Sequence, residues 1–174
     1  QLTYIPAPFS IYKGINKLEA NNFIELDLIT NNLQITKIKR IKNEFLVPTK
    51  NSAVNMTYDL VNESVESRSI SDVPLGTFLS GGVDSSIVSL CLANQNDQKI
   101  DTFSIGFNNK SFDESDKSRL VSKLINSNHH EFIVGPKEIK NNIDDIILNF
   151  DEPFADSSAL PTFLVSKLTK GHVK

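Results

Sequence analysis

From Leu75 onward the chain alternates short apolar runs with helical stripes, and few folds accommodate that order. Leu75–Leu79 reads as a short apolar strand, and Asp84–Asn94 as a helix packing Ile87, Leu90 and Cys91. Ile100–Phe107 is a second strand with Gly106 at its end. The next helix, from Asp113 to Asn126, turns Leu120, Val121, Leu124 and Ile125 inward. His130–Val134 is a third strand. Gly135-Pro136 then opens a helix carrying Ile139, Ile143, Ile146, Ile147 and Phe150, the cleanest helical stripe in the sequence. After Asp151-Glu152-Pro153 a last helix covers Ser158–Thr169 and stops at Gly171. Such alternation predicts parallel strands joined by right-handed helical crossovers. The expected class is α/β, a Rossmann-like parallel sheet with helices on both faces.

The upstream part differs in period. Asn22–Ile29 alternates, with Ile24, Leu26 and Leu28 on one face and Glu25 and Asp27 on the other. Asn31-Asn32 is a turn signal and Leu33–Ile41 alternates again, so a β-hairpin precedes the sheet. Lys37, Lys39, Arg40 and Lys42 are read as a solvated strand edge that discourages aggregation, with a phosphate-binding patch as the alternative. Gln1–Leu18 is irregular chain, and Phe45–Lys50 a linker. A helix follows with Val54, Tyr58, Val61 and Val65 on one stripe, ending near Ile70.

Composition excludes several classes. An apolar share of 39% is enough for a buried core, and a net charge of −3 gives no general attraction to nucleic acid or to an anionic membrane. No apolar run approaches the about 18 residues of a membrane span, and Gln1–Phe9 is not a signal peptide. The single cysteine, Cys91, rules out an internal disulfide and fits a reducing cytoplasm; it reads as a packing residue rather than a nucleophile. The chain does not begin with methionine, and it stops where the pattern expects another strand. It is expected to be an internal piece of a longer protein.

The chemistry is expected in Ser80-Gly81-Gly82-Val83-Asp84-Ser85-Ser86, between the first strand and its helix. In a doubly wound sheet this position faces a bound ligand. Two residues without Cβ atoms let the backbone wrap an anion, and the helix start supplies free N–H groups and a favourable dipole. Ser80, Ser85 and Ser86 add hydroxyl donors. Asp84 would repel phosphate unless it caps the helix or holds a Mg²⁺ that bridges carboxylate and phosphates. The loop has no Walker lysine and is not a dinucleotide fingerprint.

Ser80–Ser86 resembles the signature loop of the N-type ATP pyrophosphatases, the adenine nucleotide alpha hydrolase-like group. These enzymes split ATP between its α and β phosphates and adenylate an oxygen. The flanks resemble one family in that group. Ser71–Leu79, Thr102–Phe107, Phe112-Asp113-Glu114, His129-His130-Glu131, Asp151-Glu152-Pro153 and Ala159–Thr162 are similar to the synthetase domain of glutamine-dependent asparagine synthetases. Tyr4–Pro8 and Ile11–Ile15 resemble the end of that family's glutaminase domain. The resemblance spans nearly the whole chain. It implies a remnant of an N-terminal-nucleophile glutaminase domain over 1–46 and a truncated ATP-pyrophosphatase domain over 47–174.

It further implies asparagine formation from aspartate, glutamine and ATP through an acyl-adenylate, with AMP and pyrophosphate released. Ser80, Gly81, Gly82, Asp84, Ser85 and Ser86 would hold the pyrophosphate and its Mg²⁺, and Asp84 is the expected catalytic and metal-binding residue. Phe78 and Ile105 match positions whose backbone contacts adenosine. Implied partners are ATP, aspartate, ammonia from glutamine and the rest of the same polypeptide; a homodimer stays open. The alternatives are the same adenylation on a sugar acid or β-lactam precursor, and a nucleotide-binding segment without catalysis. Gln1 is not the family's nucleophilic cysteine, and the family's second glycine- and acid-rich loop lies beyond Lys174. The piece is therefore expected not to complete a turnover.

Other groups carry plainer expectations. His129 and His130 sit next to each other on a strand and point to opposite faces, which argues against a metal pair. Asp113 and Glu114 read as first-turn helix acids. Asp151, Glu152 and Asp156 read as capping or solvated groups, with contact to substrate as the alternative.

Overall fold

The structure, a computed structural model, describes residues 2–39, 49–111 and 113–173. Arg40, Ile41, Lys42, Phe112 and most of the expected linker lie outside the described residues. The chain divides into two compact units, Gln1–Leu46 with Leu148–Asp156, and Val47–Ile147 with Ser157–Lys174.

The smaller unit holds an antiparallel hairpin of β1 (Asn22–Asp27) and β2 (Asn32–Lys37). Its register sets Ile24 against Ile35 and Leu26 against Leu33, so like side chains meet across the strands. The strand expected to reach Ile29 ends two residues earlier. The carboxylate of Asp27 accepts the backbone N–H groups of Ile29 and Thr30, at 2.8 and 3.2 Å, and so pulls the chain into its turn. Asn31 completes that turn at φ +53°.

The irregular leader is tied down by one lysine. Lys17 Nζ donates to the carbonyl of Ile5 at 2.6 Å and pairs with Glu152. The backbone N–H of Ala155 donates to Thr3 O at 2.8 Å, and Phe150 stacks on Phe154 at 4.8 Å. Asp151-Glu152-Pro153 thus belongs to a bridged segment, and Glu152 serves Lys17.

The larger unit is a three-stranded parallel sheet flanked by helices. Its strands are β3 (Gly76–Phe78), β4 (Asp101–Phe107) and β5 (Asn128–Val134), in that spatial order. Its helices are α1 (Lys50–Arg68), α2 (Val83–Asn94), α3 (Ser115–Leu124), α4 (Pro136–Leu148) and α5 (Ala159–Thr169). Every expected element is present, with ends displaced by a few residues. Thr49 caps α1 by accepting the N–H of Ser52 at 3.1 Å. The stripe of α1 buries no residue completely; Val61 and Val65 are half-buried while Val54 and Tyr58 are exposed.

The two faces of the sheet have different chemistry. On one, Phe103 is 1% exposed and stacks on His130 and Phe132, with ring centroids 5.0 and 6.4 Å away; His172, just past α5, tilts against it. Gly76 makes room for this ring, since a Cβ there would stand 2.5 Å from Phe103 Cε2. On the other face lie Thr102, Ser104 and His129, against which α3 packs.

That second face corrects the expected orientation of α3. Ser115, Ser118 and Ser122 are its buried residues, whereas Leu120 and Leu124 are 61% and 76% exposed. Short hydroxyl side chains let the helix approach a strand face that is itself lined with hydroxyls. In α2 the inward set is Ser89, Cys91 and Leu92, and Ser89 Oγ lies 2.7 Å from Thr77 Oγ1. Ile87 and Leu90 stay more than two-fifths exposed, while Cys91 is buried. In α4 only Ile146 is buried, and Phe150 falls beyond the helix end. Among the described residues no helix is long and apolar enough to cross a membrane.

Candidate active site

The carboxyl end of β3 opens directly into the glycine–serine bend. Leu79 anchors the approach: it is 1% exposed, and its N–H donates to Phe103 O at 2.7 Å. Gly81 follows at φ +80°, in the left-handed region that costs residues with a Cβ. Space forbids a side chain there as well. A Cβ on Gly81 would stand 2.4 Å from Lys117 Cβ and 2.7 Å from the backbone nitrogen of Ser118. The bend is thus pressed against the first turns of α3.

Gly82 is different. It is the N-cap of α2 at φ −70°, ψ 162°, an ordinary extended conformation, and a Cβ there would meet only Ser80 Oγ at 3.3 Å. No side chain caps the helix. Asp84 is not the N-cap of α2 but sits in its first turn. A carboxylate there is favoured by the helix dipole.

The serines hold the bend in shape. Ser80 Oγ lies 2.9 Å from Ser85 Oγ and accepts the N–H of Gly82 at 3.3 Å. Ser85 and Ser86 donate their hydroxyls to Gly82 O, at 3.2 and 2.6 Å. All three hydroxyls expected as donors therefore converge on one bend, and two of them are turned toward its own carbonyl.

Next to the bend is an open cleft. Phe78, Ser80 and Ile105 line it from the strand ends, Glu114 from the start of α3, and Pro161 and Thr162 from α5. Of the expected site residues, Phe78, Ser80 and Ile105 share this cleft, and Gly81, Gly82, Asp84, Ser85 and Ser86 continue from Ser80 along the bend. Glu114, expected as a helix acid within the Phe112-Asp113-Glu114 resemblance, also lines the cleft. Its position beside Ile105 depends on the return of the chain after β4, which no local pattern encodes.

Asp113 has a structural role. Its Oδ1 accepts the N–H groups of Phe107 and Ser115, both at 3.2 Å, and its Oδ2 accepts Ser115 Oγ at 3.0 Å. The Ser115 hydroxyl bond, more than any other influence, holds this carboxyl below the usual carboxylate range. His129 and His130 point to opposite faces: the first bonds Thr102 and Ser104, the second Asp101 at 2.9 Å. Among the described residues no group of three or more His, Cys, Asp or Glu side chains could hold a metal ion.

Comparison with known proteins then decides the family. The sequence model for asparagine synthase matches residues 56–174, which include both the bend and the cleft. The chain belongs to the asparagine synthase family. A Methanocaldococcus jannaschii protein provisionally named asparagine synthetase (glutamine-hydrolyzing) 2 is 34% identical over 173 residues, covering 99% of this chain and 33% of that protein. Asparagine synthetase (glutamine-hydrolyzing) 1 of Bacillus subtilis is 28% identical over 174 residues, 98% of this chain and 27% of its own length. This asparagine synthase segment therefore spans about a third or less of the curated relatives it matches.

Proposed function

We propose that the chain is the nucleotide-binding start of a glutamine-dependent asparagine synthetase, with residues 47–174 in its synthetase domain and 1–46 closing its glutaminase domain. The observation that carries this reading is the bend itself: Gly81 at φ +80° against α3, Gly82 capping α2, and three serine hydroxyls within it, all at the carboxyl end of a parallel strand. Ligands of doubly wound sheets bind at that end, and a helix start without a side-chain cap leaves N–H groups for phosphate oxygens. Phe78 and Ile105 line the cleft where adenosine would lie.

Asp84 suits a magnesium ion. Mg²⁺ usually takes one or two carboxylates and completes its shell with substrate phosphates and water, so a lone carboxylate beside a phosphate site matches its habit. When bound it would neutralise charge on the departing pyrophosphate. The chain's own part is to fix the β and γ phosphates with backbone N–H groups and Ser80, Ser85 and Ser86, while the aspartate carboxylate attacks the α phosphorus. Donors set in advance around a leaving group stabilise the transition state more than the ground state. Ammonia from glutamine then displaces AMP to give asparagine. The one buried thiol, Cys91, suits a reducing compartment, and we place the protein in the cytoplasm.

Gly82→Val tests the reading, because φ −70° admits any residue and the one close neighbour of its Cβ, the Ser80 hydroxyl at 3.3 Å, has only to shift by a few tenths of an ångström. A branched side chain there crowds Ser80 inside the bend. Calorimetry of the chain with Mg·ATP is expected to show binding that this variant loses; unaltered affinity would put the nucleotide elsewhere. In the full-length protein, aspartate-dependent exchange of pyrophosphate into ATP should vanish with Asp84→Asn.

A further inference from the structure

The bend contains an acid and no base. Its sequence, Ser80 through Ser86, carries Asp84, and the adjoining cleft adds Glu114. A pyrophosphate brought there meets negative charge on two sides, and one magnesium ion does not balance all of it. Many phosphate loops solve this with a lysine inside the loop; here none is present.

A lysine reaches the bend from another element. Lys117 stands in the first turn of α3, and its Cβ is the atom that a side chain on Gly81 would strike, at 2.4 Å. Its ammonium bonds Glu114 Oε1 at 2.6 Å, and Glu114 lines the same cleft as Ser80. Both side chains of this pair are more than 60% exposed, so the contact contributes little and is readily shared. The neighbouring cation is already committed: Arg119 bonds both oxygens of Glu131, at 2.8 and 2.9 Å, and pairs with Asp116.

We propose that Lys117 is the counter-ion of the pyrophosphate site, swinging on its four-carbon stem between Glu114 and the phosphates held by the bend. The proposal rests on the reading of Ser80–Ser86 as that site. Lys117 takes the place of a loop lysine, and the close contact that requires glycine at position 81 is what brings it there. Glu114 keeps the ammonium oriented toward the cleft when no anion is bound.

The test is calorimetric titration of the chain with Mg·ATP and, separately, with inorganic pyrophosphate, at low and at raised salt. Lys117→Gln should weaken both ligands roughly ten-fold, the effect of losing one charged hydrogen bond, and should flatten the salt dependence. Lys117→Arg should restore most of the affinity, and Glu114→Gln should tighten binding by removing a competing carboxylate. Unchanged affinity and salt slope in Lys117→Gln, with binding still lost in Gly82→Val, would overturn the role of Lys117 alone. Binding that survives Gly82→Val would remove the site and the proposal together.

Discussion

His129 and Thr102 face each other across the β4–β5 pairing, with Nδ1 of the imidazole 2.9 Å from the threonine hydroxyl. Its other nitrogen lies 3.1 Å from Ser104 Oγ, so the ring is bonded at both ends between the sheet and α3. Burial pushes its pKa below the ordinary 6.5; Arg119 and His130 act the same way, and Glu131 opposes them. The unfolded chain therefore takes up the proton more readily than the folded one. The stability owed to the neutral ring is complete above pH 6.5 and declines as pH falls through that value toward the lower folded pKa. Urea midpoints measured against pH should show this decline, and His129→Gln should flatten it.

Asp113 gives a second, separate dependence at lower pH. Its carboxyl is held below the ordinary 3.8, first by the Ser115 hydroxyl and then by the backbone N–H groups of Ser115 and Phe107. Its contribution is present above the unfolded pKa and lost as pH falls through the folded one. Asp113→Asn should cost stability near neutrality and lose less on acidification than the parent chain. An identical acid limb in both proteins would show that the carboxylate does not stabilise the α3 start.

The serine face of α3 predicts an inverted mutational pattern. Ser118→Leu forces a large side chain into the contact with the sheet and should destabilise by about 1–3 kcal/mol. Leu124→Ser, at a position 76% exposed, should change stability by less than about 0.5 kcal/mol. Chemical denaturation of the two variants decides it; equal costs would mean that Leu124 is covered in solution.

The inner face of α3 is hydroxylated rather than apolar. Apolar periodicity finds the inner face of a helix when that face meets apolar neighbours, as Leu164 and Val165 do in α5. Ser115, Ser118 and Ser122 are instead the buried residues of a helix that packs on β4 and β5, and a stripe of serines looks like solvent-facing surface. The strands were legible because β4 is long and buried, and the bend because two glycines and three serines fall between strand and helix. Glu114 and Lys117 were not, since their nearness to the bend arises from the path of α3 rather than from any local spacing. Glu152 likewise finds Lys17, far away in sequence.

The two glycines of the bend should separate fold from binding. Gly81→Ala combines a left-handed backbone with an overlap on Lys117 and Ser118, and is expected to destabilise by about 1–3 kcal/mol. Gly82→Val has an ordinary φ of −70° and only the Ser80 hydroxyl, 3.3 Å from its Cβ, to displace, so it should lose less stability than Gly81→Ala, chiefly through its weaker N-cap. Thermal unfolding by circular dichroism makes the comparison; a Gly81→Ala chain as stable as the parent would show that α3 yields at this contact.

Ser85 and Ser86 already have an acceptor, the carbonyl of Gly82. Anything that claims those protons must outbid an amide oxygen, and a neutral alcohol or ether gains nothing by the exchange. An ionised oxygen does, because hydrogen bonds to full charges are roughly twice as strong as neutral ones. If the bend is the phosphate site we propose, these serines set a threshold there that oxyanions pass and uncharged sugars and amides do not.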